Sequence, residues 1–355
     1  MTNIMQPENR HSNSIAKSGS YSGWGVWIRR ILSVFAFGVV FYLFWPLIGE
    51  LRTVLDLYKH AQWGWLGLAI FIQFISYVCL AALNYLLLSP FSGKIGFWRL
   101  MAVLPAMAFI EVAVPSAGLS GVVLRARLLG KNGYSPEASS FTLLMEIIYI
   151  AAVTVIVSSA GVWYLLKSGG IHPGQLAGLI VILILLIIAG FLFYRIGLDK
   201  QRGLLWAERT VMQWNRIMQA FGRPAISKEN LTNRVNHFYE GLSQLKRIPQ
   251  IFLFGMAVSR VVLDVATLGA CFIAFRYTIS FGILLIGYGL VLVLSGLAAL
   301  PGGLGLVDAS LAVIFARLGA PGAVAVAAAL SYRLIAFWLI RFIGFVSWQI
   351  LEARA

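Results

Sequence analysis

Apolar residues fill most of this chain in stretches longer than a soluble core helix needs, and short polar segments separate them. Ile31–Ile48, Leu66–Leu88, Leu143–Leu166 and Leu176–Tyr194 each come close to or reach the roughly 20 apolar residues that cross a bilayer. The pattern predicts full spans over 28–48, 62–88, 138–166, 175–194, 249–275 and 322–348. Two further apolar stretches are interrupted, giving the pairs 98–114 with 116–130 and 281–300 with 303–318. The predicted fold is an all-α polytopic membrane protein, a helical bundle of about 6 full spans plus two broken or re-entrant helix pairs.

The interruptions resemble each other. One reads Pro115-Ser116-Ala117-Gly118-Leu119, the other Pro301-Gly302-Gly303-Leu304-Gly305. Each leads to a similar tail, Ala126-Arg127-Leu128-Leu129-Gly130 or Ala316-Arg317-Leu318-Gly319, and then to Pro136 or Pro321. Proline removes a backbone donor and glycine tolerates unusual dihedrals, so freed amides and carbonyls at membrane depth must face a cavity. Paired broken segments in corresponding halves of a chain point to a transport site.

Charge orients the bundle. Of 355 residues only 12% are charged, yet the formal net charge is +15. The polar stretch Arg195–Arg247 holds ten Lys or Arg against four acids and so supplies +6 of that total. The positive-inside bias places this loop in the cytoplasm, together with a tail that carries Arg10, Lys17, Arg29 and Arg30 against Glu8. Glu50–His60 balances Glu50 and Asp56 with Arg52 and Lys59, as an outer loop does. A basic inner surface attracts anionic lipid headgroups, so the expected partners are membrane lipids and no nucleic acid. Residues 1–27 are expected to be a disordered cytoplasmic tail with no signal peptide. Residues 28–348 form a single domain, and both termini are cytoplasmic. Cys79 and Cys271 fall inside spans and are expected to pack as small apolar residues.

With this topology the first broken pair opens from the cytoplasm and the second from the opposite side. That is the signature of an inverted-topology repeat, about 28–166 and 175–348, around a cytoplasmic loop at 195–248. Glu146 lies 31 positions after Pro115 and Arg333 lies 32 after Pro301, so they are expected to meet across a pseudo-two-fold axis. Independent divergence of two kinks is the alternative. The loop predicts two amphipathic helices, one through Trp206, Val211, Trp214, Ile217 and Met218, the other through Leu231, Val235, Phe238, Leu242 and Leu245 after a cap at Ser227. They either lie at headgroup level or pack on the ends of the bundle.

Ionisable residues inside the spans are few: Glu111, Glu146, Arg260, Asp264, Asp308, Arg333 and Arg341. A charge in lipid costs from about 2.5 kcal/mol upward, so each faces a partner or a wet cavity. Glu111 and Asp308 lie near the breaks and are candidates for a translocation site, with a structural ion pair as the alternative. Arg260 and Asp264 stand one helical turn apart and predict an intrahelical pair. Arg341 is read as snorkelling toward the inner interface. Arg125, Arg127 and Arg317 flank the mouths of the breaks, where guanidinium forks either receive lipid phosphate or anchor topology. No nucleophile elbow, P-loop or zinc motif occurs, and Pro301-Gly-Gly-Leu-Gly305 departs from the dinucleotide fingerprint. His237 and Glu240 make no metal site. The expectation is no cofactor, no metal and no enzyme activity.

The run Glu111-Val-Ala-Val-Pro115-Ser-Ala-Gly118, then Arg127 and Gly130, then Leu300-Pro-Gly-Gly-Leu-Gly305 through Asp308, and Tyr332-Arg333 with Phe337-Trp338, resembles the transmembrane region of lysylphosphatidylglycerol synthases. This flippase-like family, also called UPF0104, includes stand-alone proteins of the bacterial inner membrane. The resemblance covers about 28–348. It implies a lipid flippase-like fold with a substrate-binding or translocation site at Glu111, Pro115, Gly118, Arg127, Glu146, Pro301, Gly302, Gly303, Gly305, Asp308 and Arg333. The family often has Glu-Arg where this chain has Glu146-Ile147. The soluble aminoacyl-transferase domain of the fused enzymes is not expected here, so lysyl transfer is not assigned to this chain. The expected function is binding and translocation of a phospholipid or lipid-linked headgroup. The alternative is a membrane subunit or scaffold beside a lipid-synthesis enzyme partner.

Overall fold

The computed structural model describes residues 51–114, 119–168, 227–245, 248–297 and 306–353, with short pieces between 200 and 215. Both Pro-Gly breaks lie outside these residues, as do the tail and the expected spans 28–48 and 175–194. Most of the loop helix expected around Trp206–Met218 lies outside them too. Among the described residues the chain is helical: α1 (Leu51–Lys59), α2 (Trp63–Leu88), α3 (Phe97–Ala113), α4 (Leu119–Gly130), α5 (Pro136–Ser168), α6 (Lys228–Leu245), α7 (Gln250–Ala274), α8 (Phe281–Leu297), α9 (Leu306–Arg317), α10 (Gly322–Arg333), a π-helical turn (Leu334–Leu339) and α11 (Ile340–Ala353). Among the described residues four helices are long and apolar enough to cross a membrane: α2, α5, α7 and the continuous helix from α10 through α11. The chain is a multi-pass membrane protein.

Local chemistry sets the ends of these helices. α4 and α9, which follow the two breaks, stop in the same way. The amide of Tyr134 reaches back to the carbonyl of Leu129 and that of Gly133 to Gly130, while Ala320 reaches Phe315 and Gly319 reaches Ala316. Both are Schellman closures that need a left-handed residue, and Gly133 and Gly319 supply it with φ of +82° and +104°. The sequence matched Gly130 to Gly319. In the structure Gly130 is still helical, and Gly133 does the work of Gly319. Pro136 then opens α5 and Pro321 caps the start of α10, positions where a missing amide costs nothing.

Packing follows a repeated scheme. α2 lies along α7; α3 packs on α11 as α8 packs on α5; α4 contacts α5 as α9 contacts α10; and α2 touches α5 as α7 touches α10. Glycines allow close approach at two crossings. A Cβ at Gly344 of α11 would collide with the Pro105 carbonyl of α3. One at Gly161 of α5 would lie 2.8 Å from Leu285 Cβ and 3.0 Å from the Gly282 carbonyl on α8. The core of α2, α7, α8 and α10 is built from Leu83, Leu253, Val261, Leu268, Phe272, Leu285 and Ala325. Exposed Trp63, Trp98 and Trp163 lie near helix ends, as interfacial tryptophans do.

One segment departs from expectation: the stretch 50–60, expected as an outer loop, contains α1, which packs on α10, and the Tyr58 hydroxyl bonds Ser331 Oγ at 2.8 Å. Of its two expected placements α6 takes the second, packing on the bundle. It buries Leu231, Gly241 and Leu245, and Phe238 meets the Phe141 ring of α5 edge-on at 5.6 Å.

Candidate functional site

Intramembrane charges and polar groups gather where α2, α4, α5, α7, α8 and α10 approach each other. On α4 the residues Leu124, Arg125, Leu128 and Leu129 share one buried face, so the helix that buries three leucines also buries an arginine. Arg125 is 0% exposed; it donates to Glu146 Oε2 of α5 at 3.2 Å, to Asn84 Oδ1 of α2 at 2.8 Å and to Thr142 Oγ1 of α5 at 3.0 Å. Arg125 is therefore neither a topology anchor nor a surface phosphate receptor. The carboxylate expected to meet Arg333 is taken by Arg125 instead. Ile147, next to Glu146, is 56% exposed.

A second group centres on the α2/α7 crossing. Arg260 and Asp264 form the predicted intrahelical ion pair. Asp264 also accepts from Gln73 Nε2 at 2.9 Å and from the Tyr288 hydroxyl of α8 at 2.8 Å, while Arg260 donates to Ser76 Oγ at 2.5 Å. This carboxylate is surrounded by donors, which is how a buried charge is tolerated.

The third group stands at the π-helical turn. Arg333 ends α10 and is 8% exposed; its guanidinium carbon lies 4.0 Å from the centroid of the Phe337 ring. Arg341 opens α11 and stacks on the same ring at 3.3 Å, so it does not snorkel to the interface. Glu111, in the last turn of α3, lies within electrostatic reach of Arg341. Gly121 of α4 approaches the backbone beside Glu111: a Cβ there would meet the Met107 carbonyl at 2.9 Å and Glu111 Cβ at 3.2 Å.

Two buried tyrosines join the groups. Tyr77 of α2 lies within electrostatic reach of Glu146, Arg260, Arg341 and Arg125, and Tyr332 within reach of Asp264, Arg260 and Arg333. Among the described side chains the network holds four guanidiniums and three carboxylates. The Nε atoms of Arg125, Arg260 and Arg341 are buried without a hydrogen-bond partner in the described structure. Unused guanidinium donors in such surroundings suit an anionic oxygen acceptor.

Other predicted site residues stand apart or lie outside the description. Arg127 is on the exposed end of α4, 3.3 Å from Glu352 of α11. Asp308 is on α9, with its side chain outside the described residues, and Pro115, Gly118, Pro301, Gly302, Gly303 and Gly305 lie outside them entirely. Sequence reasoning missed the roles of Arg125, Tyr77 and Phe337. For Arg125 the signal was present, since it shares the helical phase of Leu124 and Leu128.

The family model described as Lysylphosphatidylglycerol synthase TM region matches residues 29–344. No curated protein matches the chain.

Proposed function

The chain belongs to the lysylphosphatidylglycerol synthase transmembrane-region family, and from that premise we propose that it binds the headgroup of a phospholipid or lipid-linked compound inside the membrane and carries it across the bilayer. The observation that carries this reading is the buried polar network with unpaired Nε donors on Arg125, Arg260 and Arg341. Guanidinium donors held at membrane depth have an energetic reason to take a phosphate oxygen. Glu111 and Asp308 are assigned to a cationic part of the headgroup or to a proton, and Glu146 holds Arg125 in place.

The reading includes an inverted-topology repeat, with both termini in the cytoplasm of a bacterial inner-membrane protein. Its support is the packing scheme, in which α3 on α11 mirrors α8 on α5 and α4 on α5 mirrors α9 on α10. Matched Schellman closures at Gly133 and Gly319 add to it. Such repeats bind substrate near the midplane and open alternately to the two sides. Chemistry on the lipid belongs, in this reading, to a partner enzyme.

The test is lipid movement in vesicles reconstituted with the protein and a fluorescent phosphatidylglycerol, with the outer leaflet bleached by a membrane-impermeant reductant. Wild type is expected to expose inner-leaflet label, and Glu111→Gln or Arg333→Gln to abolish this without loss of folding. Movement at the wild-type rate in both variants overturns the site assignment.

A further inference from the structure

The acids of the membrane region are held in different ways. Glu146 takes a hydrogen bond from Arg125 at 3.2 Å, and Asp264 is ringed by Arg260, Gln73 and Tyr288. Such carboxylates keep their charge because donors replace the water they have lost. Glu111 is different. It is half-buried, and among the described residues it makes no hydrogen bond and no ion pair. The charge whose field reaches it is that of Arg341 on α11.

Two influences oppose each other at this carboxyl group. Glu111 stands in the last turn of α3, which ends at Ala113. The Ser120 hydroxyl serves the carbonyls of Ile110 and Val114 there, at 3.1 and 3.2 Å. The negative end of a helix repels a carboxylate but accepts a hydrogen bond from a carboxylic acid, whereas a guanidinium within reach favours the carboxylate. The other packed elements bring no further charge to Glu111. From α4 comes Gly121, whose Cβ would meet Glu111 Cβ at 3.2 Å; Arg125 of that helix is committed to Glu146, Asn84 and Thr142, and Arg127 to Glu352. From α2 comes Tyr77, which lies within reach of Arg341. Arg333, stacked on the Phe337 ring that also carries Arg341, adds like charge beside it.

An acid so placed can be neutralised, and it then leaves a cation behind. Arg341 spends one amino group on the Phe337 carbonyl at 3.3 Å, and its guanidinium has no other hydrogen bond among the described residues. While Glu111 is charged, the two compensate each other. Once Glu111 takes a proton, Arg341 lacks an anion at membrane depth and gains from a phosphate oxygen. We propose that Glu111 is a proton site linked to anion binding at Arg341. The phosphodiester of an anionic lipid replaces Glu111 as the counter-ion of Arg341, while a proton from water settles on the Glu111 carboxylate. When the lipid leaves, the proton returns to water. This deepens the translocation reading and rests on it, choosing the proton over a headgroup amine for Glu111. An amine fits poorly because Arg341 already supplies positive charge there. The linkage is reciprocal, so a lipid that brings a proton with it binds more tightly in acid.

Calorimetry counts the proton without any lipid movement. The full chain in a neutral detergent is titrated at neutral pH with dihexanoyl phosphatidylglycerol, in two buffers of different ionisation enthalpy. Wild type is expected to take up about one proton per lipid bound, and its affinity to rise by up to about ten-fold for each pH unit lowered. Glu111→Gln, fixed in the neutral form, is expected to bind the lipid with no proton uptake and with an affinity that no longer varies with pH. Arg341→Gln is expected to weaken binding by about ten-fold or more. Asp56→Asn and Arg276→Gln, at exposed residues away from the pair, are expected to match wild type. Wild-type binding without proton uptake overturns the proposal, as does the absence of binding, and neither result depends on a variant folding. Uptake that persists in folded Glu111→Gln overturns it too. Tighter binding of dihexanoyl phosphatidylethanolamine without proton uptake overturns it in favour of an amine at Glu111. Displacement of the lipid by micromolar sulfate, which does not titrate in this range, overturns it in favour of a site for a free oxyanion. Proton-linked binding without transbilayer movement in the vesicles upholds the site and overturns translocation; movement without proton-linked binding does the reverse.

Discussion

Burying a guanidinium completely, as α4 does with Arg125, is tolerated only while Glu146, Asn84 and Thr142 remain in place. Removing the cation strands a carboxylate that is mostly hidden. Arg125→Met is expected to lower unfolding stability by about 3 kcal/mol or more, and adding Glu146→Leu is expected to restore part of that loss. Denaturant unfolding monitored by tryptophan fluorescence reads both variants, and an unshifted midpoint in the single variant contradicts the account. The exposed pair of Arg127 and Glu352 provides the contrast, because solvent screens it; Arg127→Ala is expected to change stability by about 1 kcal/mol at most. At this scale the sequence was legible where partners are local. Arg260 and Asp264, one turn apart, pair as their spacing predicts. Arg125 and Glu146 belong to different helices, and only their packing reveals which acid serves which arginine.

Helix positions were legible because apolar runs here end in glycine, proline or charge. The stretches 62–88 and 249–275 became Trp63–Leu88 and Gln250–Ala274. Two elements escaped. α1 is a nine-residue helix whose charges balance, so it resembles a loop, and Leu334–Leu339 reads as ordinary apolar helix because nothing in its composition marks slower winding. The glycine crossings give a graded prediction. At Gly344 the obstacle to a side chain is the Pro105 carbonyl, so Gly344→Ala must push α11 off α3 and is expected to cost about 1–3 kcal/mol. At Gly289 the obstacle is chiefly the Ser158 hydroxyl, which can rotate, and Gly289→Ala is expected to cost less. Thermal unfolding of both in one detergent checks the order.

At the scale of the molecule, the charge distribution predicts which end faces which side. With Cys79 and Cys271 replaced by alanine, Lys59→Cys is expected to react with an impermeant maleimide from outside intact cells, and Ser243→Cys only after permeabilisation. The reverse pattern refutes the orientation. That the chain is a helical membrane bundle was readable from its apolar runs, but the partners of each helix were not, because sequence similarity says nothing about which half a helix leans on. The structure shows that α3, ahead of the basic loop, crosses closely over α11, far beyond it, while α8 leans on α5 in return. The two halves are therefore interlocked, like hands clasped with the fingers exchanged. Such halves cannot rock apart as rigid blocks without opening both glycine crossings, so whatever moves must be smaller than a half. Phe109 and Phe345, whose ring centroids lie 5.2 Å apart across the α3/α11 crossing, offer the check. Cysteines at both positions, joined by a short bifunctional reagent, are expected to leave lipid movement intact, because this clasp stays closed throughout the cycle.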